Sequence, residues 1–332
     1  MKEEEIKNSF TRHFLKHFEL IEPFKPFEPN SMSTESQILE RLTILKTYKL
    51  YVGGKFPRTE SGRYYIAVNK KGDKLANICL ASRKDFRDAQ SAARSAAWDW
   101  ASRAAFNRGQ ILYRIAEMLE GRKHQFIAEL MQQDMSQTEA ENEVVLSIER
   151  LIYYAGWCDK YQQIFSSVNP VASSHFNFSV PEPMGVVSII APQQSSLLGF
   201  ISVIAPVIAG GNTCIVLASY EKPLCAVTFG EVLATSDVPG GVVNILTGNP
   251  VELIPYFADH MDVNAIIYAE SDANSQKLIQ QKAADNLKRV FLYDHLDWSG
   301  EEAQSPYLIL NTQEIKTTWH PVENIGGAKA LY

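Results

Sequence analysis

The sequence predicts an α/β protein built on a doubly wound parallel sheet. Three observations carry this. The run "GVVSIIA" after Met184 is continuously apolar and rich in β-branched residues, the pattern of a strand covered on both faces. From Gly185 onward such runs alternate with helix-forming stretches, the order that places parallel strands in one sheet with helices on both sides. Before Gly185 the pattern differs: short β-prone runs around glycine turns, then long amphipathic stretches.

Taken in order, residues 1–45 read as an N-terminal extension. "SFTRHFLKHFELIEPF" has apolar residues near helical spacing, and "EPFKPFEPNSMS" reads as a proline-rich linker. "YKLYVGGKF" around Gly53-Gly54 predicts a hairpin, and "YYIAVNKKGDKLANICLA" predicts a second, turning at Lys71-Gly72-Asp73. Ser82 is an N-cap candidate for the helix that follows, with Asp85 three residues on. Residues 105–133 and 137–165 predict two further amphipathic helices, the first with Ile111, Ile115, Met118, Leu119 and Phe126 on one face. "HFNFSVPEPMG" runs extended into the first core strand. Then come a helix over 195–209, the strand "TCIVLA", a helix over 223–235, the strand "VVNILTG", a short helix, the strand "AIIYA", a helix in "ANSQKLIQQKAADNL" and the strand "KRVFLY". The tail is β-prone from Tyr307 to Leu310 and again where Ile315, Thr317 and Trp319 alternate with Lys316 and Thr318. Leu308–Trp319 is therefore expected as a strand. The expected organisation is an extension (1–45), a cofactor-type domain (46–298) and a C-terminal strand and tail (299–332).

Composition narrows the function classes. Hydrophobic residues make up 45% and charged residues 21%, with a net charge of −6, so nucleic acid is not an expected partner. Cys79, Cys158, Cys214 and Cys225 form neither a CxxC pair nor a Cys/His cluster and read as reduced, buried thiols. His260, His295 and His320 lack metal-ligand spacing, so no metal site is expected. "MKEEEIKNSF" has no apolar signal core, and the apolar stretch near Ile201–Ala209 is broken by Pro206 and Gly210-Gly211. A cytoplasmic protein without membrane contact is expected.

The ordered series "LYVGGKFPRTESGR", "EPMGVV", "IAPVIAGGNTCIV", "PGGVVNILTG", "DHMDVNAI" and "DNLKRV" resembles landmarks of the aldehyde dehydrogenase superfamily, and "ILNTQEIKTTWHP" resembles its oligomerisation strand. The likeness covers residues 46–322 and is nearest to truncated members and to the second domain of two-domain aldehyde dehydrogenases. It implies an aldehyde-dehydrogenase-like cofactor domain with a β-rich oligomerisation extension. It also implies an NAD(P)-dependent chemistry: a cysteine thiolate attacks the aldehyde, an asparagine amide holds the oxyanion, and a glutamate activates water.

This chain departs from that pattern at each role. Tyr293 stands where the family glutamate is expected, and no cysteine follows Cys225. After Trp298 the sequence passes almost directly to the C-terminal strand, without the domain that would bear the nucleophile. Gln194 stands at the asparagine position with an amide one methylene longer. Leu217 and Tyr220 replace the lysine and glutamate that meet the adenosine ribose, with Glu221 and Lys222 adjacent. The phosphate loop reads "AESDAN", with Glu270 at a glycine position and Asp272 close by. These carboxylates repel a pyrophosphate. The resemblance therefore implies no catalytic residues here and no tight NAD. If a nucleotide is held at all, the positions implied are Pro192, Gln194, Ser219, Gly248 and Ser271. The expected function is a catalytically inactive structural or regulatory subunit, in a homo-oligomer or with a full-length aldehyde dehydrogenase. An NAD(P)-dependent oxidoreductase completed within a complex, and a small-ligand sensor using the old crevice, stand as alternatives.

Overall fold

The computed structural model describes residues 44–322. The expected N-terminal extension and the last residues of the tail lie outside the described residues. The first sheet is small: β1 (Thr47–Tyr48), β2 (Tyr64–Val68) and β3 (Lys74–Cys79), in the order β1-β3-β2. β2 and β3 form the predicted hairpin, turning through Gly72 at φ 85°. The expected first hairpin is only a tight turn. Gly53 and Gly54 both have positive φ, and Val52 and Lys55 exchange backbone hydrogen bonds around them. β1 pairs with β3 in parallel instead. Tyr51 beyond it pairs with Ile245, tying this sheet to the core.

Four longer helices follow. α1 (Arg83–Ala101) begins in the predicted capping box, Ser82 with Asp85; the Asp85 carboxylate also accepts Thr59 Oγ1 at 2.6 Å. The stretch expected as one helix over 105–133 is two, α2 (Ala105–Gly121) and α3 (Lys123–Gln132), broken where Gly121 weakens the helix and Arg122 leaves helical geometry. The stretch 137–165 is likewise α4 (Gln137–Trp157), capped by Ser136 and Glu139, and the short α5 (Tyr161–Phe165).

The predicted doubly wound sheet is present. β6 (Val186–Ile190), β7 (Thr213–Leu217), β8 (Val243–Leu246), β9 (Ala265–Tyr268) and β10 (Arg289–Leu292) are all parallel, in the order β10-β9-β6-β7-β8. The crossovers are α6 (Leu198–Ala209), α7 (Leu224–Ala234), α8 (Pro250–Asp259) and α9 (Ala273–Ala284). Every residue of β6 is buried. Val187 and Ile189 enter the core on one face of the sheet, while Val186 and Ile190 enter the core on the other. This two-sided burial is why the run carries no polar alternation.

The third sheet is antiparallel: β4 (Ser167–Asn169), β5 (His175–Pro183) and β11 (Gln313–Pro321), in the order β11-β5-β4. Here the expected strand over Leu308–Trp319 needs correction. Tyr307–Asn311 is a short helix, α10, whose Leu308 and Ile309 are buried against the core, and the strand begins only at Gln313. The β-prone sequence gave way to burial of two adjacent apolar side chains. β11 pairs along its whole length with β5 of the same chain, and Trp319 is 56% exposed.

Candidate functional site: the crevice at the sheet's switch point

In a doubly wound sheet, ligands bind beyond the carboxyl ends of the strands, where the strand order reverses. Here that point is β6. The chain passes from it to β7 and β8 on one side, then returns to β9 and β10 on the other. Three loops meet there: 191–197 after β6, 218–223 after β7 and 269–272 after β9.

These loops are bonded to one another. The Gln193 backbone N–H donates to Glu270 Oε1, joining the β6 and β9 loops. Ser219 Oγ donates to the Gln193 carbonyl at 2.8 Å, and the Tyr220 N–H donates to Gln193 Oε1 at 2.7 Å. Lys222 Nζ donates to the Gln194 carbonyl at 3.0 Å, and Gln194 Nε2 to Glu221 Oε2 at 3.1 Å. Tyr220 stacks on Tyr65 of β2, with ring centroids 4.4 Å apart, and Tyr65 Oη donates to the Tyr220 carbonyl at 3.1 Å. The N-terminus of α6 is also taken. Glu143 Oε1 of α4 accepts the N–H groups of Leu197 at 3.0 Å and Leu198 at 3.1 Å. That carboxylate sits where a helix end attracts an anion. Glu270 is half-buried, and burial raises its carboxyl above the usual range, opposed by the Gln193 N–H and assisted by the nearby Glu221 charge.

Of the expected nucleotide positions, the structure brings three together. Pro192 is buried, and a Cβ at Gly199 would lie 2.5 Å from its Cγ, so the ring packs on the start of α6. Gln194 and Ser219 spend their polar groups on the neighbouring loops. Ser219 also accepts the Lys222 N–H at 2.9 Å. Ser271 is exposed in the β9 loop, between Glu270 and Asp272; Asp272 caps α9 by accepting the Ser275 N–H at 2.9 Å. Gly248 stands apart at the end of β8, where a Cβ would meet Leu253 Cδ1 at 2.8 Å and Ala81 N at 3.3 Å, so glycine there serves close packing. Sequence reasoning missed Gln193, the hub of the loop network, and Glu143. A mid-helix glutamate gives no local signal that it reaches a distant helix end.

The remaining candidates lie outside the crevice. Tyr293 is buried just past β10, and its hydroxyl accepts Asn311 Nδ2 at 3.0 Å. Burial pushes this phenol up to about 12, so it stays protonated. The cysteines are free and buried; burial pushes Cys158 up to about 12 and holds Cys214 and Cys225 well above the ordinary thiol value. A thiol attacks as its thiolate, and burial at Cys158, Cys214 and Cys225 disfavours that form. Among the described residues no cluster of three or more metal-ligating side chains occurs, and no helix is long and apolar enough to cross a membrane.

Beyond Tyr293 a short connection, residues 294–306, leads to α10. It is stapled to α4. Arg150, buried, donates to the carbonyls of Trp298 (2.9 Å) and Ala303, to Gln304 Oε1 (3.1 Å) and to Ser202 Oγ of α6 (2.8 Å). Tyr154 Oη donates to the Ser305 carbonyl at 3.2 Å.

A sequence model described as the aldehyde dehydrogenase family matches residues 58–294. The chain belongs to the aldehyde dehydrogenase family. It is 30% identical over 260 residues to the cytosolic 10-formyltetrahydrofolate dehydrogenase of Mus musculus, covering 76% of this chain and 29% of that protein. It is 32% identical over 268 residues to the putative aldehyde dehydrogenase DhaS of Bacillus subtilis (strain 168), covering 78% of this chain and 53% of that one. The solved aldehyde dehydrogenase from Bacillus cereus in its NAD+ complex superposes with a TM-score of 0.71 at 25% identity, over 74% of this chain and 50% of that one. The chain thus spans under a third of the length of the formyltetrahydrofolate dehydrogenases and about half that of the other two. The family match ends at residue 294, where the stapled connection begins.

A family member of this kind implies NAD(P) as cofactor. The crevice fits that group poorly. Glu270 is bonded to the Gln193 N–H, Glu143 covers the α6 N–H groups, and Glu221 and Asp272 add negative charge beside them. These carboxylates oppose a pyrophosphate by charge, and two of them already hold N–H groups of the crevice loops.

Proposed function

We propose that this aldehyde dehydrogenase family chain is a non-catalytic subunit, serving assembly or regulation rather than aldehyde oxidation. The observation that carries the reading is the bonding of the three switch-point loops to one another, with Glu270 on the Gln193 N–H and Gln193 bonded to Ser219 and Tyr220. Two further observations support it. The phenol of Tyr293, at the position of the family's base, is buried and protonated, so it takes up no proton at neutral pH. Cys158, Cys214 and Cys225 sit where burial disfavours the thiolate. The β-rich arm supports assembly: in the order β11-β5-β4, the outer edges of β4 and β11 pair with no described strand, and such edges favour covering by another chain. The proposed partner is a second copy or a full-length aldehyde dehydrogenase, and the proposed setting is the cytoplasm.

The test is turnover by the purified chain with NAD or NADP and small aliphatic or aromatic aldehydes. No reduced nucleotide should form above the buffer control. Turnover that survives repurification and is abolished by changing one residue of this chain would overturn the reading and favour an oxidoreductase. Tight binding of a nucleotide other than NAD(P), without turnover, would favour a ligand sensor instead.

A further inference from the structure

Among the described residues the parallel sheet ends at β10, whose outer edge pairs with no described strand. The N–H groups of Arg289 and Tyr293 face β9, donating to Asn264 O at 3.3 Å and Tyr268 O at 2.9 Å. Backbone groups alternate along a strand, so those of Val290 and Leu292 face away from β9. No described residue pairs with them. Beside this edge lies a cleft of about 460 Å³ lined by Leu292, Leu296, Ser305, Leu308 and Asn311. Its far wall belongs to the connection 294–306, which Arg150 and Tyr154 hold against α4 and so keep from folding onto the edge. That connection contains no lysine or arginine, and it exposes Asp294, Asp297, Glu301 and Glu302.

We propose that the β10 edge docks an extended segment of a partner protein, apolar at alternate positions and flanked by lysine or arginine. The N–H and C=O groups that no described residue pairs fix the backbone chemistry, because another extended chain supplies both donor and acceptor at the strand's own repeat. Leu292, Leu296 and Leu308 select apolar side chains on the cleft side. Glu302, which lines the cleft, together with the other exposed carboxylates of the connection, selects cationic flanks by charge complementarity, an effect that salt weakens. This site is separate from the switch-point crevice and stands whether or not that crevice holds a nucleotide.

The probe is a fluorescein-labelled peptide, Lys-Arg-Val-Thr-Val-Thr-Val-Lys, titrated with the full chain and read by fluorescence polarisation. Controls replace its basic residues by glutamate or its central valine by proline. The basic peptide should bind at least tenfold more tightly than either control, with affinity falling as salt rises. Val290→Pro removes an outward N–H that the β9 ladder does not use, and should cost at least tenfold in affinity with the circular dichroism spectrum retained. The exposed double variant Asp297→Lys, Glu302→Lys serves if the proline variant fails to fold, and should also weaken binding at least tenfold. Equal affinity for the proline-interrupted peptide, or no change on charge reversal, would overturn the proposal. So would a dimer that excess peptide leaves intact and that Val290→Pro dissociates, because the edge would then belong to a second copy.

Discussion

Two residues show how single side chains fix local structure. The half-buried Glu270 carboxyl titrates above its ordinary value, first through burial. A carboxyl raised in the folded state contributes stability that is complete below the unfolded value and lost as pH rises through the folded one. Glu270→Gln keeps an oxygen for the Gln193 N–H but removes this titration. Its melting temperature should therefore match or exceed the parent's at pH 7 and depend less on pH above about 4.3, the ordinary glutamate value; thermal melts from pH 4 to 8 check this. Lys288 works at a helix end. Its ammonium donates to the carbonyls of Ala258 at 2.7 Å and His260 at 2.9 Å, closing the C-terminus of α8, while burial pushes it down to about 8. Lys288→Met leaves those carbonyls without a donor and should cost about 1–3 kcal/mol in urea unfolding. A change below half a kcal/mol would show that water serves the carbonyls as well, at a site near the roughly ±0.5 kcal/mol of a neutral surface substitution.

At the level of elements, the connection 294–306 depends on a buried cation. Arg150 satisfies four acceptors on two segments, the connection and α6, and burial lowers its guanidinium's ordinary value with no carboxylate of the described residues bonded to it. Arg150→Met should destabilise the chain by about 2–4 kcal/mol, because several buried acceptors lose their donor at once. Limited proteolysis should then cut first between residues 294 and 306; unchanged resistance there would show that Arg150 is not what holds the connection. Much of this architecture is legible in sequence. The β6 run is recognisable because burial on both faces demands continuous apolar residues, and Ser82 with Asp85 marks the start of α1 because a capping box is local. The break between α2 and α3, the helical turn at Tyr307–Asn311 and the reach of Glu143 and Arg150 were not legible, since each is decided by what packs against the residue from far along the chain.

Across the whole molecule, the family core keeps its sheet and its β-rich arm while the loops of its crevice are bonded to one another. The arm should make the chain at least a dimer at micromolar concentration, measured by light scattering coupled to size exclusion. Truncation after Pro306 removes β11, strips β5 of its nine-residue partner, and should give monomer or aggregate. A monomeric full chain whose truncated form stays soluble at the same mass per particle would remove the arm from assembly. The crevice itself was half legible. Glu270, Tyr220 and Tyr293 depart from the resembled family's pattern by residue type, which is legible, whereas the bonding through Gln193 follows from how three loops meet. The central claim is that this bonding excludes the dinucleotide, and calorimetric titration with NAD tests it most directly. The unmodified chain should bind with a dissociation constant weaker than about 1 mM, about 4 kcal/mol of binding energy. Glu270→Gly combined with Asp272→Thr should tighten binding by about tenfold, or about 1.4 kcal/mol. Micromolar binding of NAD by the unmodified chain would contradict the account.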